Sequence, residues 1–362
     1  MKKLDKFQRG MGIGGWLTNY KRFNVLPPNR RMIITVGDME HFKSYITEKD
    51  IAYIASLGMD HIRLGFDQIV LEKAPYEYRE EIIGILHDFV SWCHKYELGI
   101  VLNMHKALGN YCDILDEKGL MQDPELQARF IALWEMLEDE FSSDGSIMFE
   151  LLNEVVNATA VEWNSLADRT VKALRAKNPT RKLIVGCTEW NNPPGLAQLK
   201  VWDDENIIYT FHNYAPHEFT HQRGVLQALT LFYNREMPYP GDIDRYRDYQ
   251  LVVNQIENAY PNINEMNIEY IRECLAPAKA WIDANPDKIL WCGEFGTIRH
   301  ANIKWRENWM RDMITVLKEW DIPYSVWNYL STPNDGNRFS LVDDDDRKIL
   351  SEEMHRIILG EV

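Results

Sequence analysis

Two glutamates stand at the ends of apolar runs of strand length. Ile147-Met148-Phe149-Glu150-Leu151-Leu152 finishes in Asn153-Glu154, and Ile289-Leu290-Trp291-Cys292-Gly293 finishes in Glu294. Parallel α/β folds gather their chemistry at the carboxyl ends of strands. Two carboxylates brought together there have two uses. With histidines they can hold a divalent metal. At a carboxyl separation of about 5 Å they can cleave a glycosidic bond, one donating a proton and the other attacking as nucleophile. His105 and His212 stand singly, without His-x-His spacing, so the carboxylate pair is the preferred reading. No metal and no other cofactor is expected; a metal-dependent barrel hydrolase is the rival from a different class.

The other strand ends carry Trp16, Arg63, His105, Asn153, His212, Tyr214 and Trp327. Each has an ordinary structural explanation alone. His105 suits a hydrogen-bonded buried histidine, Arg63 an interior ion pair and Trp327 a core position. Burying all of them together for stability alone would be costly, because each polar group needs a partner away from water. Arg63 beside Glu294 would keep that carboxylate ionised and nucleophilic. Glu154, lacking such a partner, would stay protonated near neutral pH and donate.

The elements that must position these residues follow a repeating pattern. Strand-like runs cover 10–17, 61–66, 100–105, 147–152, 182–187, 207–212, 289–293 and 323–327. Between most of them lie stretches with apolar residues near a period of 3.6. Helices are predicted from the Thr47 cap to Gly58, over 77–97, from Asp123-Pro124, and over 162–177, 268–284, 303–319 and 346–358. Asp-Pro and Thr-x-x-Asp starts are capping signals. Eight strands alternating with helices predict an α/β chain folded as a (β/α)8 TIM barrel, one catalytic domain over residues 1–362. An open doubly wound sheet is the structural rival, but no Gly-x-Gly-x-x-Gly follows the first strand. Residues 21–46 read as a loop and 106–123 as a long one. Residues 213–267, after the sixth strand, read as an insertion subdomain beside the cleft, because a connection of that length is usually functional or structured.

Composition narrows the partners. The 362 residues carry a formal charge of −15, the wrong sign for nucleic acid or an anionic membrane surface. No apolar core follows the charged Met1-Lys2-Lys3 start, so a cytoplasmic location is expected, or secretion if a leader was removed. The five cysteines, Cys93, Cys112, Cys187, Cys274 and Cys292, are scattered and read as buried free thiols. Twelve Trp and 17 Tyr exceed what core packing needs and suit a ligand with flat apolar faces, such as a sugar ring. Nothing in the pattern specifies an oligomeric state.

The motifs resemble one family along the whole chain. Leu-Leu-Asn-Glu at 151–154 and Gly-Glu-Phe-Gly at 293–296 look like the two signature strand ends of glycoside hydrolase family 5, within the clan of retaining (β/α)8 glycosidases. Gly-Gly-Trp-Leu at 14–17, His-Ile-Arg-Leu at 61–64, Asn-Met-His at 103–105, Phe-His-Asn-Tyr at 211–214 and Val-Trp-Asn-Tyr at 326–329 extend the likeness. The compact endoglucanase C type is most similar, with its Thr-Glu-Lys-Asp helix start and long insertion. The resemblance implies Glu154 as acid/base and Glu294 as nucleophile. It implies that Asn153 bonds the sugar 2-hydroxyl and that Arg63 and Tyr214 support the nucleophile. His105 and His212 would line the cleavage-point sugar and Trp327 would stack beneath it. The implied substrate is a β-1,4-glucan, mixed-linkage β-1,3-1,4-glucan or a cello-oligosaccharide. Exo-acting β-glucosidase, β-1,3-glucanase and β-mannanase activities occur in the same family. Asn103, Lys106 and Ala107-Leu108-Gly109 depart from the family's third-strand motif, and Gly65 stands where Pro is common.

Overall fold

Eight parallel strands, nearly every residue of them buried, close on themselves in chain order. They are β1 (Arg9–Leu17), β2 (His61–Asp67), β3 (Gly99–Lys106), β4 (Ile147–Glu150), β5 (Leu183–Gly186), β6 (Ile207–His212), β7 (Ile289–Glu294) and β8 (Tyr324–Val326). Gly10 closes the barrel, opposite His61 on one side and Ser325 on the other. The computed structural model describes residues 4, 6–21, 33–111, 119–224, 228–332, 335 and 337–361.

Strand side chains alternate between two faces, so one inward row can be followed up each strand. At the amino ends the interior is apolar: Phe7, Val101, Met148, Ile184, Ile208, Ile289 and Trp291 pack together. Two residues further on, the same rows become polar, with Asn103, Glu150 and Thr210, all fully buried. The rows of β3 and β6 end at His105 and His212. The barrel is therefore dry at its foot and polar toward the rim.

Helices surround the strands, several of them started by a residue that satisfies orphan backbone N–H groups. Thr47 and Asp50 form the expected capping box for Glu48–Ser56. Asp123 caps Pro124–Phe141, and Thr159 with Glu162 caps Ala160–Lys177. Ile268–Ala284 and Ile303–Glu319 span the predicted ranges, the first containing Pro277.

Three local expectations change. Residues Val36–Ser44, read as loop, form a helix under a second capping box, Thr35 with Asp38. It buries only Phe42, so it shows almost no apolar periodicity. The helix expected from 77 begins at Glu80, because Glu72–Ala74 and Glu77–Tyr78 pair as a small hairpin. The last helix begins at Glu352, where Ser351 accepts the Met354 N–H. Between β5 and β6, where no helix was predicted, Thr188–Asn191 and the 3-10 helix Pro193–Gln198 form.

The 213–267 segment contains helices His217–Thr220, Ala228–Tyr233 and Ile243–Asn254 and a two-residue ladder between Gly241–Asp242 and Glu265–Met266. It is fastened to the helix Ile303–Glu319. The Trp309 indole donates to the Ala215 carbonyl (3.0 Å), and the Tyr239 hydroxyl donates to Asp312 (2.8 Å). Cys93, Cys187 and Cys292 are buried free thiols; Cys274 is a free thiol that is only partly buried, and Cys112 lies outside the described residues. So does 112–118 of the expected long loop, of which Gly119–Gln122 is a short helix. No described helix is long and apolar enough to cross a membrane.

Candidate active site

β4 and β7 bring their terminal acids together. After Glu150 the chain leaves the ladder, and the Asn153 N–H donates to the Met104 carbonyl of β3 (2.9 Å). That bond turns Glu154 over the barrel mouth, where Asn110 donates to its backbone carbonyl (2.9 Å). One carboxylate oxygen of Glu154, one of Glu294 and Nδ1 of His212 all lie within 4.8 Å of one another. His212 Nδ1 sits between the acids, 3.0 Å from Glu154 and 3.3 Å from Glu294. The partner of Glu154 is therefore an imidazole.

Arg63 reaches Glu294 through Nη1 at 3.3 Å, but its closer carboxylate is Glu150. Nε and Nη2 donate to the two Glu150 oxygens at 2.7 and 2.8 Å, and Nη2 also donates to Asn153 Oδ1 at 2.6 Å. Tyr214 donates its hydroxyl to the other Glu294 oxygen at 3.1 Å. Glu150 escaped the sequence reading because it sits inside an apolar run. Its signal was the inward row from Met148, which lands on Glu150 two residues later.

Burial pushes the Glu294 carboxyl up to about 7, with Glu150 pushing the same way, while Arg63 and the Tyr214 hydroxyl pull it down. Burial thus opposes the ionisation that Arg63 favours at Glu294. Desolvation outweighs the arginine, whose charge is shared with Glu150. So close to Glu154 and His212, Glu294 titrates as part of a set. His212 and His105 are held well below the ordinary histidine range, first by burial and then by the Arg63 charge, so both are neutral at pH 7. Tyr214 is held well above 10 by burial and by Glu294 and Glu154, and keeps its proton.

These groups open into a cleft of about 460 Å³. On its β8 side lies Trp327, stacked on His105 with centroids 5.2 Å apart and planes 12° from parallel. The indole rests against β1, where a Cβ on Gly12 or Gly14 would come within 2.8 or 2.6 Å of it. The opposite wall has Trp190 and Asn192 after β5, and Tyr249, Gln250 and Asn254 from the insertion. Trp190 was not foreseen. It is 41% exposed and follows no strand pattern. Glu189, Trp190 and Asn191 are consecutive left-handed residues, with φ of 59°, 56° and 61°. Such backbone strain persists only where the surroundings enforce it. Here Asn191 enforces it, accepting from the Cys187 N–H (2.7 Å) and donating to the Asn153 carbonyl (3.2 Å).

Trp16 is the misplaced candidate. It is fully buried outside the barrel wall, donating to the Phe42 carbonyl (2.7 Å) and meeting Phe89 edge-on. Gly15, at φ +74°, breaks the alternation of β1 just before it and turns the indole away from the cleft.

The Glu154, His212 and Glu294 donors are compact enough to hold a cation, the alternative raised for the metal reading. The positive charge there is already supplied by Arg63, 3.3 Å from Glu294. A second cation beside a buried guanidinium would be repelled at low dielectric.

The sequence matches the family model described as Cellulase (glycosyl hydrolase family 5) over residues 27–332. The chain belongs to glycoside hydrolase family 5. Among its relatives, Endoglucanase C of Acetivibrio thermocellus is 36% identical over 361 residues, covering 98% of each chain. Cellodextrinase A of Ruminococcus flavefaciens is 26% identical, covering 84% of this chain and 81% of that protein. The solved structure of Thermotoga maritima Cel5A with cellobiose superposes with a TM-score of 0.74 at 22% identity over 97% of each chain, and shares the fold. As a family 5 glycoside hydrolase, this chain places every strand-end candidate except Trp16 in or directly beneath the cleft.

Proposed function

We propose that this glycoside hydrolase is a retaining endo-β-1,4-glucanase, with Glu294 as nucleophile and Glu154 as acid/base. The observation that carries the mechanism is the approach of the two carboxylates to within 4.8 Å. Retaining enzymes need a separation of roughly 5 Å for direct attack, whereas inverting enzymes leave room for water at about 6.5–9.5 Å.

The roles divide by their donors. Glu294 accepts from both Arg63 and Tyr214, so the negative charge of the pair settles there. Glu154 stands nearer solvent, against neutral His212, and keeps the shared proton. In the first step Glu154 gives that proton to the glycosidic oxygen. The bond from that oxygen to the anomeric carbon breaks, and Glu294 forms an ester to the same carbon. In the second step Glu154 takes a proton from water, whose oxygen attacks the anomeric carbon and releases Glu294. Trp327 offers an apolar face to the sugar at the cleavage point. Asn153, oriented by Arg63, faces its 2-hydroxyl, with His105 alongside.

The glucan assignment is supported by the full-length likeness to Endoglucanase C. A product profile on cellulose, mixed-linkage β-glucan, mannan, xylan and cello-oligosaccharides tests it, with proton NMR of the first product. Internal cleavage of glucans with retained β configuration is expected. An α product overturns the nucleophile assignment, and preferred cleavage of mannan or release of single glucose units overturns the specificity.

A further inference from the structure

The cleft is lined by a third carboxylate that the proposed chemistry does not use. Glu218 belongs to the short helix His217–Thr220 at the start of the insertion, is 2% exposed and faces the cleft. Its Oε1 accepts from both the Gln250 amide and the Tyr260 hydroxyl. Gln250 Nε2 also bonds the Tyr260 hydroxyl at 2.9 Å, and Asn254 donates to Gln250 Oε1 at 2.8 Å. Glu218 therefore joins three separate stretches of the insertion at one atom.

Two of the stretches it joins line the cleft. Gln250 and Asn254 belong to the insertion's share of the cleft wall, with Trp190 and Asn192 on the same wall. Gln250 has both amide groups committed within the wall, so its rotamer and that of Asn254 are set by where Glu218 holds them. The insertion follows β6, whose neighbour in the barrel is β7, the strand that ends in Glu294. Glu218 is also joined to the chemistry from behind. Thr220, on the same short helix, donates to the Tyr214 carbonyl at 2.6 Å, and the His221 ring meets Tyr214 edge-on at 5.1 Å.

We propose that Glu218 is a positioning residue whose bonds to Gln250 and Tyr260 hold the insertion wall against the cleft, creating a subsite for a β-glucan chain that continues past the cleavage point. A buried carboxylate favours this use, because it demands donors and so keeps both segments in place. The substrate class rests on the glucanase reading above; the clamp itself does not.

The test uses Glu218→Ala and Tyr260→Phe in the full chain, the second removing one clamp bond from outside the cleft lining. Kinetics on cellotriose, cellotetraose and cellopentaose are paired with hydrogen–deuterium exchange over 243–260. In the parent protein kcat/KM rises with chain length. In both variants that gain flattens, by about tenfold at cellopentaose, through KM with little change in kcat, and amides of 243–260 exchange faster. A full chain-length gain in both variants, or an equal loss of kcat on all three sugars, overturns the subsite. Unchanged exchange overturns the clamp. If the parent protein cleaves none of these sugars, the glucanase reading fails and exchange alone decides the clamp.

Discussion

Arg63 grips Glu150 with two bonds, at 2.7 and 2.8 Å, and reaches the nucleophile candidate with only one at 3.3 Å. The guanidinium is thus fixed from below by a carboxylate that faces no substrate. A buried ion pair adds little net stability, yet removing one partner strands the other.

Replacing Glu150 with Leu should therefore destabilise the barrel by about 3–5 kcal/mol and lower kcat, because Arg63 then turns toward Glu294. Urea unfolding and steady-state kinetics measure both. A variant of parental stability and activity would show that Glu150 does not position Arg63.

Glu294 should lower stability at alkaline pH. Its folded-state carboxyl titrates near 7, above the 4.5 of an unfolded chain. A raised carboxyl favours the fold fully below the unfolded value, and that contribution is lost as pH rises through 7. Glu294→Gln removes the ionisation, so it should gain stability at pH 8 and almost none at pH 4.5. Thermal unfolding at the two pH values decides this; an equal effect at both would rule out the raised carboxyl.

The division of roles is read by azide. Glu154→Ala should lose about 10³-fold or more in kcat on unactivated glucan and recover with azide on an activated aryl glycoside, giving a β-glycosyl azide. Glu294→Ala should recover only to an α-azide. The opposite pairing of products would exchange the two assignments.

Trp190→Ala should raise KM for cello-oligosaccharides several-fold, through loss of about 1 kcal/mol of ring stacking, and leave stability near the parent, since the indole is half in solvent. A large fall in unfolding midpoint with unchanged KM would make Trp190 a structural residue.

The barrel and the acids at its rim were legible because both follow from periodicity. Apolar runs mark strands, and a polar residue closing such a run marks the mouth. Glu150 was hidden by the same rule, since it interrupts an apolar run without ending it. Trp16 was misjudged because the turn at Gly15 reverses a face, and one left-handed residue leaves no periodic trace. Trp190 and Glu218 sit on irregular connections, where only tertiary contacts decide which side chains meet the cleft. Those connections also supply one whole wall of the site, so subsite structure was the least legible part.

The bare α-carbons of Gly12 and Gly14 govern how deep a sugar can settle. Trp327 lies directly on them, with no room for even a methyl group between strand and indole. Any side chain there would lift the ring into the cleft and make the floor shallower. The reach of the catalytic acids toward the glycosidic bond is thereby set from a strand that carries no catalytic group. In a mutational scan these two positions should report on catalysis as sharply as residues in direct contact with the sugar.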